Sequence, residues 1–289
     1  MYPAAFEYFA PRTVDEALEL LARHGEDAKI LAGGQSLLPM MKLRIASPRC
    51  LVDVNRIDGL AGLRREGDRI VIGALCRHAD VAASPIVREH LAIMLDAANQ
   101  TADVQVRNRG TVAGSLAHAD PAGDWPAALM ALDTMVTIAA KSGMRTLPLA
   151  DFIVDAYTTR LGASEMVVEV SVGIPARQGG GAYLKFEKRA GDFAVASVGV
   201  QLGLDGDWCR TAAISLGAVG ATPSRARAAE ALLQGNPISP DLLSQAEQLV
   251  RDAAEPFPDT RGSVEYKRHL AGVLFRRSFA IALDRSRRP

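Results

Sequence analysis

The run Pro175 to Gly181, PARQGGG, constrains this chain more than any other stretch. Proline cannot donate to a hydrogen-bonded ladder, and three consecutive glycines carry high backbone entropy. No helix or strand is expected to cross the run, so it reads as a linker. It parts the 289 residues into about 176 before it and about 110 after it, each the size of a domain.

Ahead of the run, strands and helices are mixed. Thr13 and Glu16 form a capping-box pattern, Val14, Ala17, Leu18 and Leu21 recur at helical spacing, and Gly25 is the stop. Lys29 to Ala32, Leu51 to Asn55, Arg69 to Ala74, Met135 to Ala140 and Met166 to Ile174 read as strands. Pro85 to Gln100 reads as one helix, with Ile86, His90, Ile93, Met94 and Ala97 on one side, and Trp125 to Leu132 as another. Arg107 to Asp124 carries glycine-centred turns and an Asp-Pro pair, and reads as loop. Past the linker, Ala182 to Glu187, Ala194 to Leu204 and Ala212 to Ala218 are expected to form a three-stranded meander. Helices follow: one opened by Thr222-Pro223 and closed near Gly235, one opened by Ser239-Pro240, and one from about Ser263 to Asp284, with Arg285 to Pro289 as a frayed tail. This order predicts an α+β fold.

The 33 Lys+Arg balance the 33 Asp+Glu, so there is no field of one sign to attract a phosphate backbone, and nucleic-acid binding is not expected. No apolar run approaches the roughly 18 residues of a transmembrane helix, and the Met1-Tyr2-Pro3 start is not that of a secretory signal. Cys50, Cys76 and Cys209 are few, odd in number and far apart, which fits a reducing cytoplasm. Without a CxxC spacing the chain cannot hold an iron–sulfur cluster by itself. It also lacks GxGxxG after a strand, GxxxxGK[ST], HExxH and GxSxG, so a Rossmann site, a P-loop, this zinc motif and a hydrolase elbow are unsupported. His118 and Asp120 stand two apart, but no further His or Cys nearby completes a metal site.

Two small-residue segments remain as candidates for chemistry. Ala32-Gly33-Gly34-Gln35-Ser36 follows a strand, and paired glycines let backbone N–H groups converge on phosphate oxygens; a plain strand-to-helix turn is the alternative. Thr111-Val112-Ala113-Gly114-Ser115, after Arg107-Asn108-Arg109-Gly110, repeats the pattern with hydroxyls at both ends; a surface loop is the alternative. Two such loops would suit the two phosphates of a dinucleotide. Lys185 to Asp192, KFEKRAGD, reads by itself as a strand with a solvated face and a turn at Ala190-Gly191.

Four collinear stretches carry a resemblance: AGGQSLLPMMKLR (Ala32 to Arg44), LVDVNRI (Leu51 to Ile57), RNRGTVAGSLAHADPAGDWPAAL (Arg107 to Leu129) and KFEKRAGDFA (Lys185 to Ala194). With the ending EYKRHLAGVLFRR (Glu265 to Arg277), they closely resemble the FAD-binding medium subunit of the molybdenum hydroxylases, the xanthine dehydrogenase and aerobic carbon monoxide dehydrogenase family. The resemblance spans essentially the whole chain. It implies an FAD-binding domain of the para-cresol-methylhydroxylase type over residues 1–176, in two α+β subdomains of about 1–57 and 58–176. Residues 177–289 would be the small C-terminal α+β flavoprotein domain.

It also implies a cofactor site. Leu31, Ala32, Gly33, Gly34, Gln35, Ser36, Leu37 and Leu38 match the family's first FAD loop, and Thr111, Val112, Ala113, Gly114 and Ser115 its second. Asp124 matches an acid that contacts the cofactor, Leu161 a residue near the flavin ring, and Lys185 a further contact. Phe193 stands where the carbon monoxide enzyme has a Tyr over the ring, Gln35 where His is frequent, and Ala113 where Gly is usual. The resemblance places no catalytic side chain and no metal on this chain. A large subunit would carry the molybdenum cofactor and a small one the 2Fe–2S clusters, assembled as a dimer of heterotrimers. Electrons would pass from the clusters to FAD here, and on to NAD, oxygen, a quinone or a carrier. The competing readings are a free-standing FAD-dependent oxidoreductase with its own substrate pocket, and a relative that has lost FAD.

Overall fold

The computed structural model describes residues 2–175 and 179–287. Its elements are mixed helix and sheet, and the α+β expectation holds. The first sheet is small and parallel. It takes β1 (Glu7–Phe9), β2 (Ala28–Leu31) and β3 (Cys50–Asp53) in the order β1-β3-β2. Helix α1 (Val14–His24) lies between β1 and β2; Thr13 accepts from the Glu16 amide and the Glu16 carboxylate reaches back to the Arg12 amide. Its buried Ala17, Leu18 and Leu21 meet Cys50 and Val52 of β3, one apolar stripe on one sheet face. After β2 the Gly33-to-Ser36 turn leads into α2 (Leu37–Lys42).

The second sheet is antiparallel, in the order β4-β5-β10-β6-β7: β4 (Leu63–Glu66), β5 (Arg69–Gly73), β6 (Thr134–Ala140), β7 (Gly143–Pro148) and β10 (Met166–Gly173). Between β5 and β6 come α3 (His78–Ala83), α4 (Pro85–His90), α5 (Ala92–Gln100), α6 (Val104–Arg107), α7 (Val112–His118) and α8 (Asp124–Met130). Between β7 and β10 lie α9 (Leu149–Phe152) and a hairpin of β8 (Ile153–Asp155) and β9 (Thr158–Thr159).

Two predicted segments differ here. Pro85 to Gln100 is not one helix: Leu91 leaves helical dihedrals (φ −135°, ψ 61°) to bury its side chain, so burial overrides the periodicity. Arg107 to Asp124 is not all loop: it contains α7, because Thr111 caps the Gly114 amide and Val112, Ala113 and Leu116 bury one face. Gly114, read as a turn residue, lies in this helix; a Cβ there would stand 2.6 Å from the Thr111 hydroxyl, so glycine leaves room for the cap.

The third sheet, β11-β12-β13-β14, is an antiparallel meander of β11 (Gly179–Phe186), β12 (Ala196–Asp205), β13 (Trp208–Gly217) and the short β14 (Ser224–Arg225). Its expected three strands gain that fourth, so the Thr222-Pro223 pair makes a turn and the helix α10 (Arg227–Leu233) starts later. Helices α10 and α12 (Val264–Ser286, capped by Ser263) cover one face of the sheet, and α11 (Pro240–Ala253, capped by Ser239) packs against both of them. Residues of α5 and α8 pack against the other.

The glycine run is the chief correction. Residues 176–178 of the predicted linker lie outside the described residues, but Gly179 to Gly181 form the first rungs of β11. A Cβ on Gly180 would stand 2.0 Å from the Ala282 carbonyl oxygen of α12, and one on Gly181, on the opposite face, would meet the Gln201 side chain of β12 (2.3 Å) and Ile93 of α5 (3.2 Å). Their glycines serve close packing of helix on strand. The tail is likewise ordered to Arg287. Arg285 grips Asp96 of α5 with two nitrogens (2.6 and 2.9 Å) and donates to the Gly181 carbonyl (2.6 Å), tying the C-terminal helix to the segment before the linker. Among the described residues no helix is long and apolar enough to cross a membrane, and no His, Cys, Asp and Glu gather as metal ligands.

Candidate functional site

A cavity of about 880 Å³ runs between the first sheet, the helices after β5 and the turn before β12. The two segments singled out by their glycines meet in it. A Cβ on Gly33 would stand 2.4 Å from the Arg109 carbonyl oxygen and 2.7 Å from the Gly110 Cα, so the first loop lies backbone against backbone on the residues leading to the second. Gly34 has φ +73°, a left-handed conformation that glycine adopts without strain.

Of the first loop, Ala32, Gly33, Gly34, Gln35, Ser36 and Leu37 line the cavity. Leu31 and Leu38 lie behind it, their δ-carbons crowding the place where a Gly34 Cβ would sit. Of the second, Thr111, Ala113, Gly114 and Ser115 line it, while Val112 is wholly buried in the core. The Thr111 hydroxyl accepts from the Gly114 amide (3.0 Å), so it is spent on capping. Ala113 sits inside α7 with ordinary negative φ, which removes the conformational objection to a methyl there. Both loops thus open onto the first turn of a short helix, where amide hydrogens lack intrahelical acceptors.

Asp124 opens α8, lines the cavity and is 7 % exposed. Burial pushes its carboxyl up to about 6, against the opposing pull of Lys185 and of the Tyr183 hydroxyl. Tyr183 Oη donates to one carboxylate oxygen (2.8 Å) and Lys185 Nζ to the other (3.2 Å). Lys185 is buried rather than solvated, and does not line the cavity. Its ammonium also pairs with Glu187 (3.0 Å) and donates to the Asp192 carbonyl (2.9 Å). KFEKRAGD is therefore a strand end whose lysine points inward, followed by the expected turn at Ala190-Gly191. Phe193, half exposed, and Leu161 also line the cavity, with Arg261 stacked 6.0 Å from the Phe193 ring centre.

His118 lines the cavity and meets the ring of Tyr157 at 5.3 Å. Several site residues had no signal in the spacing. His78 stacks on Trp125 (5.5 Å), and both line the cavity; burial, reinforced by Arg77 and Arg107, pushes His78 down to about 4 and keeps its imidazole neutral. His78 Nδ1 and Trp125 Nε1 are buried without a protein partner. Asn55 and Arg77 bond to the loop carbonyls from behind. These residues are assembled by topology, from segments 20 to 70 positions apart, and only the fold discloses them.

The residues present fit a dinucleotide. The cavity is near the upper end of the roughly 300–1,000 Å³ of small-molecule sites, its two loops bring backbone to its wall with little side chain, and two buried ring nitrogens there have no protein partner. Comparison with known proteins agrees. A family described as the FAD binding domain in molybdopterin dehydrogenase matches residues 4–176, and one described as the CO dehydrogenase flavoprotein C-terminal domain matches residues 181–282. The chain is 40 % identical over 285 residues to the carbon monoxide dehydrogenase medium chain of Hydrogenophaga pseudoflava, covering 99 % of each. It is 38 % identical over 288 residues to subunit alpha of the 6-hydroxypseudooxynicotine dehydrogenase complex of Paenarthrobacter nicotinovorans, covering 99 % of this chain and 97 % of that one. A solved structure of the Hydrogenophaga pseudoflava carbon monoxide dehydrogenase, lacking the Mo-pyranopterin moiety of its cofactor, superposes with a TM-score of 0.96 at 42 % identity over 99 % of both chains.

Proposed function

We propose a role for this chain from one premise: it belongs to the FAD-binding medium subunits of the molybdenum hydroxylase family. It is an oxidoreductase flavoprotein subunit that works with a large and a small subunit, which carry the molybdenum cofactor and the 2Fe–2S clusters. FAD, held at this site, would supply redox chemistry that links one-electron clusters to a two-electron acceptor.

The chain's own residues bind, orient and shield. The amides of Gly33 to Leu37 and of Ala113 are the ones offered to the diphosphate, where fixed dipoles take the place of water, while Thr111 holds the Gly114 and Ser115 amides and fixes the second loop. Asp124, immobilised by Tyr183 and Lys185, offers carboxylate oxygens to a hydroxyl or N–H of the cofactor. Lys185 acts through Asp124 and through the Asp192 carbonyl, which holds the turn before Phe193. Leu161 and Phe193 supply apolar cover at the ring, and Phe193, without a hydroxyl, donates no hydrogen bond there. Residues 1–176 form the FAD domain, with subdomains of about 1–57 and 58–176, and 177–289 the C-terminal domain. The assembly is a dimer of heterotrimers in the cytoplasm, consistent with three free, buried cysteines. The substrate is set on another chain: relatives at nearly equal identity are named for carbon monoxide and for 6-hydroxypseudooxynicotine.

The observation that carries this reading is the backbone contact of Gly33 with Arg109 and Gly110 inside the cavity, since it brings two distant loops into one cradle. The test is purification from the source with whatever accompanies the chain. FAD on this chain, with molybdenum and iron on two co-purifying chains, is expected. A colourless chain that takes up no added FAD overturns the reading, and a lone chain that turns over a substrate replaces it with a free-standing oxidoreductase.

A further inference from the structure

Behind the two loops lies a polar brace to which the family match assigns no part. Asn55 follows β3, in the turn Val54–Arg56. Its Nδ2 donates to the Ala32 carbonyl (2.8 Å) and to the Asp53 carboxylate (2.6 Å). Its Oδ1 accepts from Arg77 Nη2 (2.5 Å), and Arg77 Nη1 donates to the Arg109 carbonyl (2.5 Å). One planar guanidinium therefore joins the first loop, through Asn55, to the residue that the first loop touches in the approach to the second.

Both ends of the brace are anchored. Asp53 accepts from the Asn55 amide (2.9 Å) and from Tyr8 Oη (2.6 Å). The Arg77 backbone bridges to Thr111, and the His78 amide donates to the Gly110 carbonyl (3.0 Å). A trans peptide sets its N–H opposite its C=O. With the Ala32 carbonyl turned to Asn55, the Gly33 N–H points away from the brace, and Gly33 lines the cavity. Gly33 has no side chain to hold its distance from Arg109, so their spacing falls to the groups that grip the two carbonyls.

We propose that Asn55 and Arg77 are the positioning pair of the cofactor site, fixing the separation of the two glycine loops and turning their carbonyls away from the cofactor's diphosphate. The proposal rests on the reading of the cavity as the FAD site. It assigns a role to two residues that do not line the cavity and act only through loop backbone.

The test uses the full chain stripped of flavin, with FAD as the probe. Asn55→Ala and Arg77→Met should each weaken FAD binding roughly 10- to 100-fold, the scale of hydrogen bonds to charged groups. The double variant should lose little more than either single one, because both break the same bridge. The melting temperature of the flavin-free chain should hardly move, whereas the rise on adding FAD should shrink. The ³¹P resonances of the bound diphosphate should shift in both variants, a change that general loosening elsewhere would not give. Arg77→Lys, with one compact ammonium for two acceptors, should fall between, and it carries the test if Arg77→Met does not fold. FAD affinity within about twofold of the parent in Asn55→Ala and Arg77→Lys, or losses that simply add, overturns the proposal while leaving the site reading intact. A parent chain that binds no FAD overturns both.

Discussion

Two glycine clusters, almost alike on paper, do opposite work in this molecule. Gly33 lets two loops at a cavity wall meet backbone on backbone and Gly34 takes the left-handed turn beside it; Gly180 and Gly181 keep side chains out of a packed interface. The missing Cβ of Gly180 is replaced by backbone of α12, and that of Gly33 by backbone of a second loop that borders open space. The difference is one of what fills the room a side chain would take. The first cluster sits in a turn at the cavity wall; the second lies in β11, in register with Leu202 and Gln201 of β12. Glycine content therefore signals close approach, and only the surroundings say whether the visitor is a ligand or a helix.

The largest effect should come from Gly180→Val. Its Cβ would meet the Ala282 carbonyl oxygen and the Ser286 amide, neither of which can swing aside. A cost above about 3 kcal/mol is expected, from overpacking against backbone. Thermal unfolding of the flavin-free chain should fall by roughly 10 °C, at a few degrees per kcal/mol. A variant as stable as the parent would return the run to the role of linker. Gly34→Val should have the converse balance. A β-branched residue at φ +73° strains the loop by about 1–3 kcal/mol, while Leu31 and Leu38 can yield by rotating. FAD affinity should drop at least roughly 100-fold, since two or more amides lose their aim. Normal FAD stoichiometry would remove the diphosphate cradle from the first cluster.

Asp124 joins the two regions, because its partners Tyr183 and Lys185 come from β11. Its carboxyl is raised to about 6 from an ordinary 3.8, chiefly by burial. Over that window the folded chain holds the proton more tightly than the unfolded one. Its contribution to stability therefore grows as pH falls from about 6 to about 4, and ionisation above 6 costs up to roughly 3 kcal/mol. Asp124→Asn should flatten this part of the stability curve, read as urea midpoints at pH 5 and pH 7. Parallel curves for parent and variant would mean that Lys185 and Tyr183 fully offset the burial.

Local signals disclosed much of this molecule. Capping residues Thr13, Ser239 and Ser263, alternating strands and the α+β order were legible because each rests on neighbours in sequence. The break at Leu91 and the helix after Thr111 were not, since burial from distant segments decides them. Most of the candidate loop residues line the cavity, and the resemblance supplied those positions along with the spacing. The inward turn of Lys185, the neutral His78 and the brace from Asn55 to Arg77 were hidden, because each depends on which elements the topology brings together.

The smallest effect expected on the cofactor is also the sharpest check on the second loop. Ala113 stands where the family resemblance expects glycine, and the methyl sits in the first turn of α7, 2 % exposed, at ordinary helical φ. Glycine there would free the backbone at about 1 kcal/mol of helix propensity and remove about one buried methyl, worth near 0.8 kcal/mol. Ala113→Gly should thus lower stability by roughly 1–2 kcal/mol in chemical unfolding and leave FAD affinity within about twofold. The two clusters would then differ in kind: Gly34 is required by its φ, whereas position 113 accepts either residue because α7 holds the amides by capping. An affinity gain well beyond twofold would show that the loop relaxes toward a glycine conformation when cofactor binds, and that the capped helix is the strained partner of the pair.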